Sequence, residues 1–73
     1  MAVVLVTRIG CHLCDGALAA LRELGIEPEQ QDVDADEALL ERFDWRVPVV
    51  LVDGRVVAEG KVDSDTLRAR LGR

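Results

Sequence analysis

A CHLC motif at residues 11–14 stands between an apolar segment of strand type and a segment with helical periodicity. Residues 2–7 (AVVLVT) are apolar or β-branched at every position, which predicts a strand buried on both faces of a sheet. Residues 11–24 carry apolar side chains at helical spacing and are followed by Gly25, a residue type that commonly ends helices. This order of strand, cysteine pair and helix restricts the possible folds more than any other feature.

The first helix is expected to carry an apolar stripe along one face. That stripe is expected to contain Leu13, Ala17, Leu21 and Leu24, with Cys14 and Leu18 beside it. Residues 29–33 predict a short, polar edge strand that forms a βαβ unit with the first strand. Residues 35–43 predict a second helix, for which Asp34 and Glu37 form a start of the capping-box type.

The remaining residues predict a β-hairpin and a last helix. Residues 47–59 contain two strand-like runs joined by an Asp-Gly dipeptide, which is typical of tight hairpin turns. The last helix begins at Asp63 or Ser64 and ends at Gly72. The order is therefore β-α-β-α-β-β-α, which predicts an α/β fold with one four-stranded mixed sheet and helices on its faces, in a single domain at residues 1–73.

Charge and hydropathy exclude several classes of function. The net charge is -5, and acidic and basic residues are mixed along the chain, so no nucleic-acid partner is expected. The apolar stretches are far shorter than the ~20 residues of a membrane-spanning helix, so no membrane partner is expected. The first residues lack the pattern of a secretory signal. We therefore expect the protein in the cytoplasm. We also expect it to be a monomer.

In a reducing compartment, a cysteine pair is more often catalytic or metal-binding than structural. Cys11 falls at the start of the predicted helix, where unpaired backbone N–H groups and the helix dipole favour a thiolate. Cys14 lies one turn further along, within reach of a mixed disulfide formed at Cys11. We assign Cys11 as the attacking thiol and Cys14 as the resolving thiol. Arg8 and His12 are the basic residues expected to support the thiolate.

Other uses of the two cysteines are a structural disulfide and a metal site. A structural disulfide would close a very short loop and contribute little stability. A zinc site needs four nitrogen or sulfur ligands, whereas the chain holds two cysteines and one histidine, so no metal site is expected within one chain. Two chains that share a metal ion or an iron–sulfur cluster through their motifs remain an alternative.

The segments TRIGCHLC at 7–14 and RVPVVLVDG at 46–54 resemble the glutaredoxin-like branch of the thioredoxin superfamily. The resemblance covers nearly the whole chain and implies a thioredoxin-like fold. It also implies a cis peptide bond before Pro48, opposite the cysteines, and a groove in which the backbone of Val47 pairs with an extended thiol substrate. Arg8 matches a basic position that glutaredoxins often place shortly before the first cysteine.

The chain also departs from the glutaredoxin pattern. Glutaredoxins usually carry proline and an aromatic residue between the cysteines, where this chain has His12 and Leu13. They hold glutathione with a Gly-Gly pair and following acidic residues, and the corresponding EGKVDS segment has one glycine fewer. The resemblance implies Gly60, Asp63 and Ser64 as glutathione-binding candidates, although the last two are also explained as helix caps.

These observations predict a cytosolic thiol–disulfide oxidoreductase that acts on protein or low-molecular-weight disulfides. No bound cofactor is expected, and the electrons would come from glutathione, as co-substrate, or from a flavin-dependent reductase. One alternative is a carrier that holds a metal ion or an iron–sulfur cluster with the same two sulfurs. Another is an accessory protein with an idle dithiol. Trp45 is expected to pack against the core rather than to line the substrate groove.

Overall fold

Four strands form one mixed sheet in the computed structural model of the chain, which describes residues 1–72. In chain order the elements are β1 (Val3–Thr7), α1 (His12–Glu23), β2 (Glu29–Asp32), a 3₁₀ turn (Val33–Ala35), α2 (Glu37–Phe43), β3 (Val49–Val52), β4 (Arg55–Glu59) and α3 (Ser64–Leu71). The strand order is β2-β1-β3-β4, with β1 parallel to β2 and the other pairs antiparallel. The predicted α/β fold class is confirmed. Arg73, the last residue of the predicted domain, lies outside the described residues.

Two apolar cores lie on opposite faces of this sheet. The core beneath α1 and α3 is formed by Leu5, Ala17, Ala20, Leu21, Ile26, Val50, Val62 and Leu67. The core beneath α2 is formed by Val6, Val33, Phe43, Val49 and Leu51. Because successive strand residues point to opposite faces, β1 contributes Leu5 to one core and Val6 to the other. The prediction that the first strand is buried on both faces is therefore confirmed.

The polar β2 lies at one edge of the sheet, as predicted, and β4 forms the other edge. Asp63 caps α3, and its side chain accepts a hydrogen bond from the Thr66 amide at 2.7 Å. That helix ends at Gly72, which adopts the left-handed conformation that favours glycine. Within residues 1–72, no helix combines the length and the apolar character needed to cross a bilayer.

The prediction that Asp34 begins the second helix is wrong. The 3₁₀ turn, capped by the side chain of Asp32, delays the start of α2 by two residues. Asp36 caps α2 instead, because its carboxylate accepts hydrogen bonds from the amides of Ala38 and Leu39. The Asp34 carboxylate is thereby free to bind Arg8.

The predicted burial of Leu13 and Trp45 is also wrong. Leu13 is 50% exposed because it lies in the first turn of α1, whereas the core beneath that helix begins at Ala17. Trp45 is 94% exposed, and the buried aromatic residue of this segment is Phe43. Phe43 is the last residue of α2 and points into the core, whereas Trp45 lies beyond the helix in the turn that follows.

Candidate functional site

The two cysteines lie where β1 leads into α1. Gly10 has a φ of 80°, which allows the chain to turn between the strand and the helix. Cys11 is the N-cap of α1, and its sulfur accepts a hydrogen bond from the Cys14 amide at 3.1 Å. The amide of Cys11 itself donates to the carbonyl oxygen of Arg8 at 3.2 Å. The predicted position of Cys11 at the helix start is therefore confirmed.

Cys11 and Cys14 differ in exposure. Cys11 is half-buried, whereas Cys14 is buried with 2% of its surface exposed. Burial raises the pKa of the Cys14 thiol, and its hydrogen bond to the Cys11 sulfur raises that pKa further. Hydrogen bonds to the Thr7 side chain and the Arg8 backbone act in the opposite direction. The raised pKa favours the protonated form of Cys14, and Cys11 is the more exposed of the two thiols.

Arg8 is bound to two carboxylates beside the cysteine loop. Its Nε and Nη2 atoms each donate to an Asp34 oxygen at 2.8 Å. Its Nη2 also donates to a carboxylate oxygen of Asp44, and Nη1 donates to the Asp44 carbonyl at 3.1 Å. The Arg8 guanidinium lowers the pKa of the Asp34 carboxyl. The positive charge of Arg8 is therefore largely neutralised, and its predicted action on the Cys11 thiolate stays a prediction.

The segment before β3 runs beside the end of β1. The Val47–Pro48 peptide bond is cis, as the resemblance implied. Val49 pairs with Val6 in the antiparallel register of β1 and β3, so Pro48 lies beside the residues that lead into the cysteine loop. Val47 packs against the core beneath α2. The register brings the two predicted substrate-binding residues to the same end of the sheet as the cysteines.

Of the remaining predicted site residues, Gly60 and Asp63 make hydrogen bonds within the fold. The Gly60 amide donates to the Pro48 carbonyl at 2.9 Å, which joins the segment after β4 to the segment before β3. Ser64 is the first residue of α3. Its neighbour Asp63 caps that helix, and the backbone hydrogen bond from Thr66 lowers the pKa of the Asp63 carboxyl. His12 is exposed at the first position of α1. Glutathione binding at Gly60, Asp63 and Ser64 stays a prediction.

A groove along β4 adjoins the predicted glutathione contacts, because Glu59 and Lys61, on either side of Gly60, are among its lining residues. Its lining residues are Arg46, Val56, Val57, Ala58, Glu59, Lys61, Thr66 and Arg70. Arg70 closes part of the edge by donating to the Val57 carbonyl, where the pairing of β3 with β4 is irregular. No group of three or more His, Cys, Asp or Glu side chains placed to hold a metal ion occurs in the part of the chain that the structure describes.

Sequence reasoning did not identify two features of the site. The carboxylates of Asp34 and Asp44 bind Arg8 from positions 26 and 36 residues away, and no local pattern indicates such pairing. Ile9 is 90% exposed beside the cysteine loop. The sequence offered one signal for this exposure, which is an isoleucine in a polar turn just before the CHLC motif.

Comparisons with known proteins agree with the geometry. The family model described as Glutaredoxin-like domain (DUF836) matches residues 2–72. The uncharacterized protein Rv0508 of Mycobacterium tuberculosis is 38% identical over 80 residues, covering 97% of this chain and 82% of that protein. The X-ray structure of XcR50 from X. campestris superposes with a TM-score of 0.87 at 36% identity, covering 97% and 96% of the two chains. The solution structure of Ne2328 from Nitrosomonas europaea gives 0.80 at 32% identity, covering 93% and 87%.

Proposed function

The chain belongs to the glutaredoxin-like domain family, and from this premise we propose that it is a thiol–disulfide oxidoreductase in which Cys11 attacks and Cys14 resolves. The observation that carries the proposal is the position of Cys11 at the N-cap of α1. There the Cys14 amide donates directly to the Cys11 sulfur. Backbone N–H groups at a helix start stabilise a negative charge, which is the form of cysteine that attacks disulfides.

The proposed reaction transfers two electrons to the substrate. The Cys11 thiolate attacks one sulfur of a substrate disulfide, and the other substrate sulfur leaves as a thiolate that takes a proton from water. The product is a mixed disulfide between Cys11 and the substrate. Cys14 then attacks the Cys11 sulfur and breaks the mixed disulfide. The second substrate thiolate leaves and takes up the proton that Cys14 gives up, and a Cys11–Cys14 disulfide forms.

The raised pKa of Cys14 fits the second step rather than the first. A thiol that stays protonated does not compete with Cys11 for the substrate, and the hydrogen bond from the Cys14 amide keeps the Cys11 sulfur close to the residue that attacks it. The oxidised pair must then be reduced by two thiols. We propose glutathione or the dithiol of a flavin-dependent reductase as the donor, in the cytosol where such thiols are abundant.

The end of the sheet beside Val47 and Pro48 is the proposed place for the substrate. An extended thiol substrate would pair with the backbone of Val47, in the manner of an added strand. If glutathione is the donor, Gly60 and the start of α3 at Asp63 and Ser64 are its proposed contacts. The hydrogen bond between the Gly60 amide and the Pro48 carbonyl supports Gly60 as one of these contacts.

The experiment is a disulfide-reduction assay with an uncharged small substrate, bis(2-hydroxyethyl) disulfide, and dithiothreitol as the reductant. We expect the wild-type protein to accelerate the reduction and Cys11→Ser to abolish that acceleration. Glu23→Gln, which changes an exposed residue at the far end of α1, is the control and should retain the wild-type activity. Equal rates for wild-type and Cys11→Ser proteins would refute the assignment of Cys11.

A further inference from the structure

Five large apolar side chains are exposed in the part of the chain that the structure describes, and three of them belong to the cysteine loop, to the start of α1 or to the segment that Arg8 ties to that loop. These five side chains are Met1, Ile9, Leu13, Trp45 and Val56. Ile9 lies two residues before Cys11, Leu13 lies between the two cysteines, and Trp45 lies two residues before Val47. We refer to Ile9, Leu13 and Trp45 as the apolar rim.

The two loops of the apolar rim are tied together by Arg8. Ile9 directly follows Arg8, and Trp45 directly follows Asp44. Arg8 binds both the carbonyl oxygen and the carboxylate of Asp44, so the starting points of the two apolar side chains are fixed relative to each other. Leu13 stands in the first turn of α1, which Cys11 caps. Ile9 and Leu13 therefore flank Cys11 along the chain, and Trp45 stands on a segment that Arg8 ties to the cysteine loop.

The side chains of the apolar rim belong to neither core of the fold. Ile9 and Trp45 are absent from both core clusters, and Phe43 fills the aromatic position beneath α2. Large apolar side chains that are exposed together mark surfaces that bind other molecules. An exposed tryptophan is effective at such surfaces because it offers a large apolar area and loses little conformational entropy on binding.

We propose that the apolar rim binds a polypeptide on which the target disulfide is flanked by apolar side chains, so that the oxidised substrates are proteins rather than small polar disulfides. This inference rests on the proposed oxidoreductase function. A disulfide that reaches the Cys11 sulfur must bring the residues on either side of its cysteines over Ile9, Leu13 and Trp45. Those residues are apolar in a matched substrate, and the contact removes apolar surface of both partners from water.

Charge also favours a polypeptide substrate over a small anionic one. Arg8 is the basic residue closest before Cys11, and two carboxylates already bind its guanidinium. A small disulfide that carries carboxylates, such as oxidised glutathione, finds this guanidinium occupied. The chain as a whole has a net charge of -5, which further disfavours anionic substrates.

The experiment compares three substrates with dithiothreitol as the reductant: insulin, bis(2-hydroxyethyl) disulfide and oxidised glutathione. The variants are Trp45→Ser and Ile9→Ser, and the control is Val56→Thr, which changes an exposed apolar residue on β4. We expect the ratio of kcat/KM for insulin to kcat/KM for bis(2-hydroxyethyl) disulfide to fall by about tenfold in each rim variant, mainly through KM. The control should keep the wild-type ratio.

A binding readout accompanies the kinetics because Trp45 is the only tryptophan of the chain. In a Cys14→Ser protein joined to insulin B chain through Cys11, the emission of Trp45 should shift to shorter wavelength. The same protein joined to 2-mercaptoethanol should show no such shift.

Three outcomes would overturn the inference. The first is an unchanged substrate ratio in both rim variants, and the second is wild-type preference for oxidised glutathione over insulin. The third is a wild-type dimer that Trp45→Ser dissociates, because the rim would then bind a second copy of the chain. Failure of the wild-type protein to reduce any of the three substrates would instead refute the proposed function itself.

Discussion

The backbone N–H of Cys14 donates a hydrogen bond to the Cys11 sulfur at 3.1 Å, while the Cys14 side chain is buried. One residue thus stabilises the reactive sulfur through its backbone and keeps its own sulfur away from solvent. This division of roles predicts different reactivity for two thiols that lie only three residues apart.

The first prediction concerns alkylation of the reduced protein at neutral pH. Iodoacetamide should modify Cys11 roughly tenfold faster than Cys14, because access and thiolate character both favour Cys11. Peptide mass spectrometry at short reaction times measures the two rates in one sample. In Cys11→Ser the remaining thiol should react slowly, and in urea both thiols should react at similar rates. Faster labelling of Cys14 in the folded protein would contradict the proposed order of attack.

The second prediction concerns the resolving step. Cys14→Ser removes the thiol that attacks the Cys11 sulfur but retains the backbone N–H that donates to it. A mixed disulfide between Cys11 and the substrate should therefore accumulate, and intact-mass measurement should detect one bound substrate per chain. Cys11→Ser is the matched control and should accumulate none. Rapid turnover by Cys14→Ser would show that an external thiol resolves the intermediate.

The strands and the cysteine position were predictable because short-range patterns determine them. Successive apolar residues in β1 indicated burial on both faces, and the Asp-Gly dipeptide between β3 and β4 indicated their turn. Contacts between distant segments were not predictable in this way. The partners of Arg8 lie on a 3₁₀ turn and beyond α2, and only the folded chain brings them together.

The exposure of single residues was the other feature that the sequence did not determine. Leu13 has the angular position of a core residue on α1, yet it lies one turn before Ala17, the first residue of that helix in the core cluster beneath it. Helical periodicity gives the direction of a side chain but not what lies in that direction. A lone tryptophan likewise gives no indication of whether a second element covers it, and Trp45 has no such cover.

The third prediction uses the two aromatic residues as a matched pair. Phe43→Ala should lower the free energy of unfolding by about 3–5 kcal/mol, because a fully buried aromatic side chain leaves a cavity when it is truncated. Trp45→Ala should change that free energy by less than about 0.5 kcal/mol, because the side chain is almost wholly exposed. Urea unfolding followed by circular dichroism measures both. A large loss for Trp45→Ala would show that the residue packs against the fold.

The fourth prediction tests which aspartate begins α2. Asp36→Ala should destabilise the protein by about 1 kcal/mol, because the amides of Ala38 and Leu39 lose their common acceptor. Asp36→Asn should retain most of the stability, because asparagine is also a good N-cap residue. Urea unfolding at pH 7 measures both variants. Equal stability of Asp36→Ala and wild type would place the start of the helix elsewhere.

The last prediction concerns the pH dependence of the pair between Arg8 and Asp34. The guanidinium holds the pKa of the folded Asp34 carboxyl below its value in the unfolded chain, which is about 3.9. A carboxyl with a lowered folded-state pKa stabilises the fold above the unfolded-state pKa, and this stabilisation is lost as the pH falls through the folded-state value. The urea midpoint of Asp34→Asn should therefore lie below that of wild type at pH 7 and at pH 5, and the difference should shrink below about pH 4.

Asp65→Asn is the matched control for this measurement. Its carboxylate pairs with Arg68 at 3.1 Å on the exposed face of α3, where an ion pair contributes little. The control should show a much smaller difference from wild type than Asp34→Asn at pH 7. A difference in urea midpoint between wild type and Asp34→Asn that stayed the same at pH 3 would contradict this prediction. It would show that the charge of the Asp34 carboxylate does not stabilise the contact between the 3₁₀ turn and the cysteine loop. Arg8 also binds Asp44, the residue before Trp45. When Asp34 loses its charge, Asp44 is therefore the remaining carboxylate partner of Arg8.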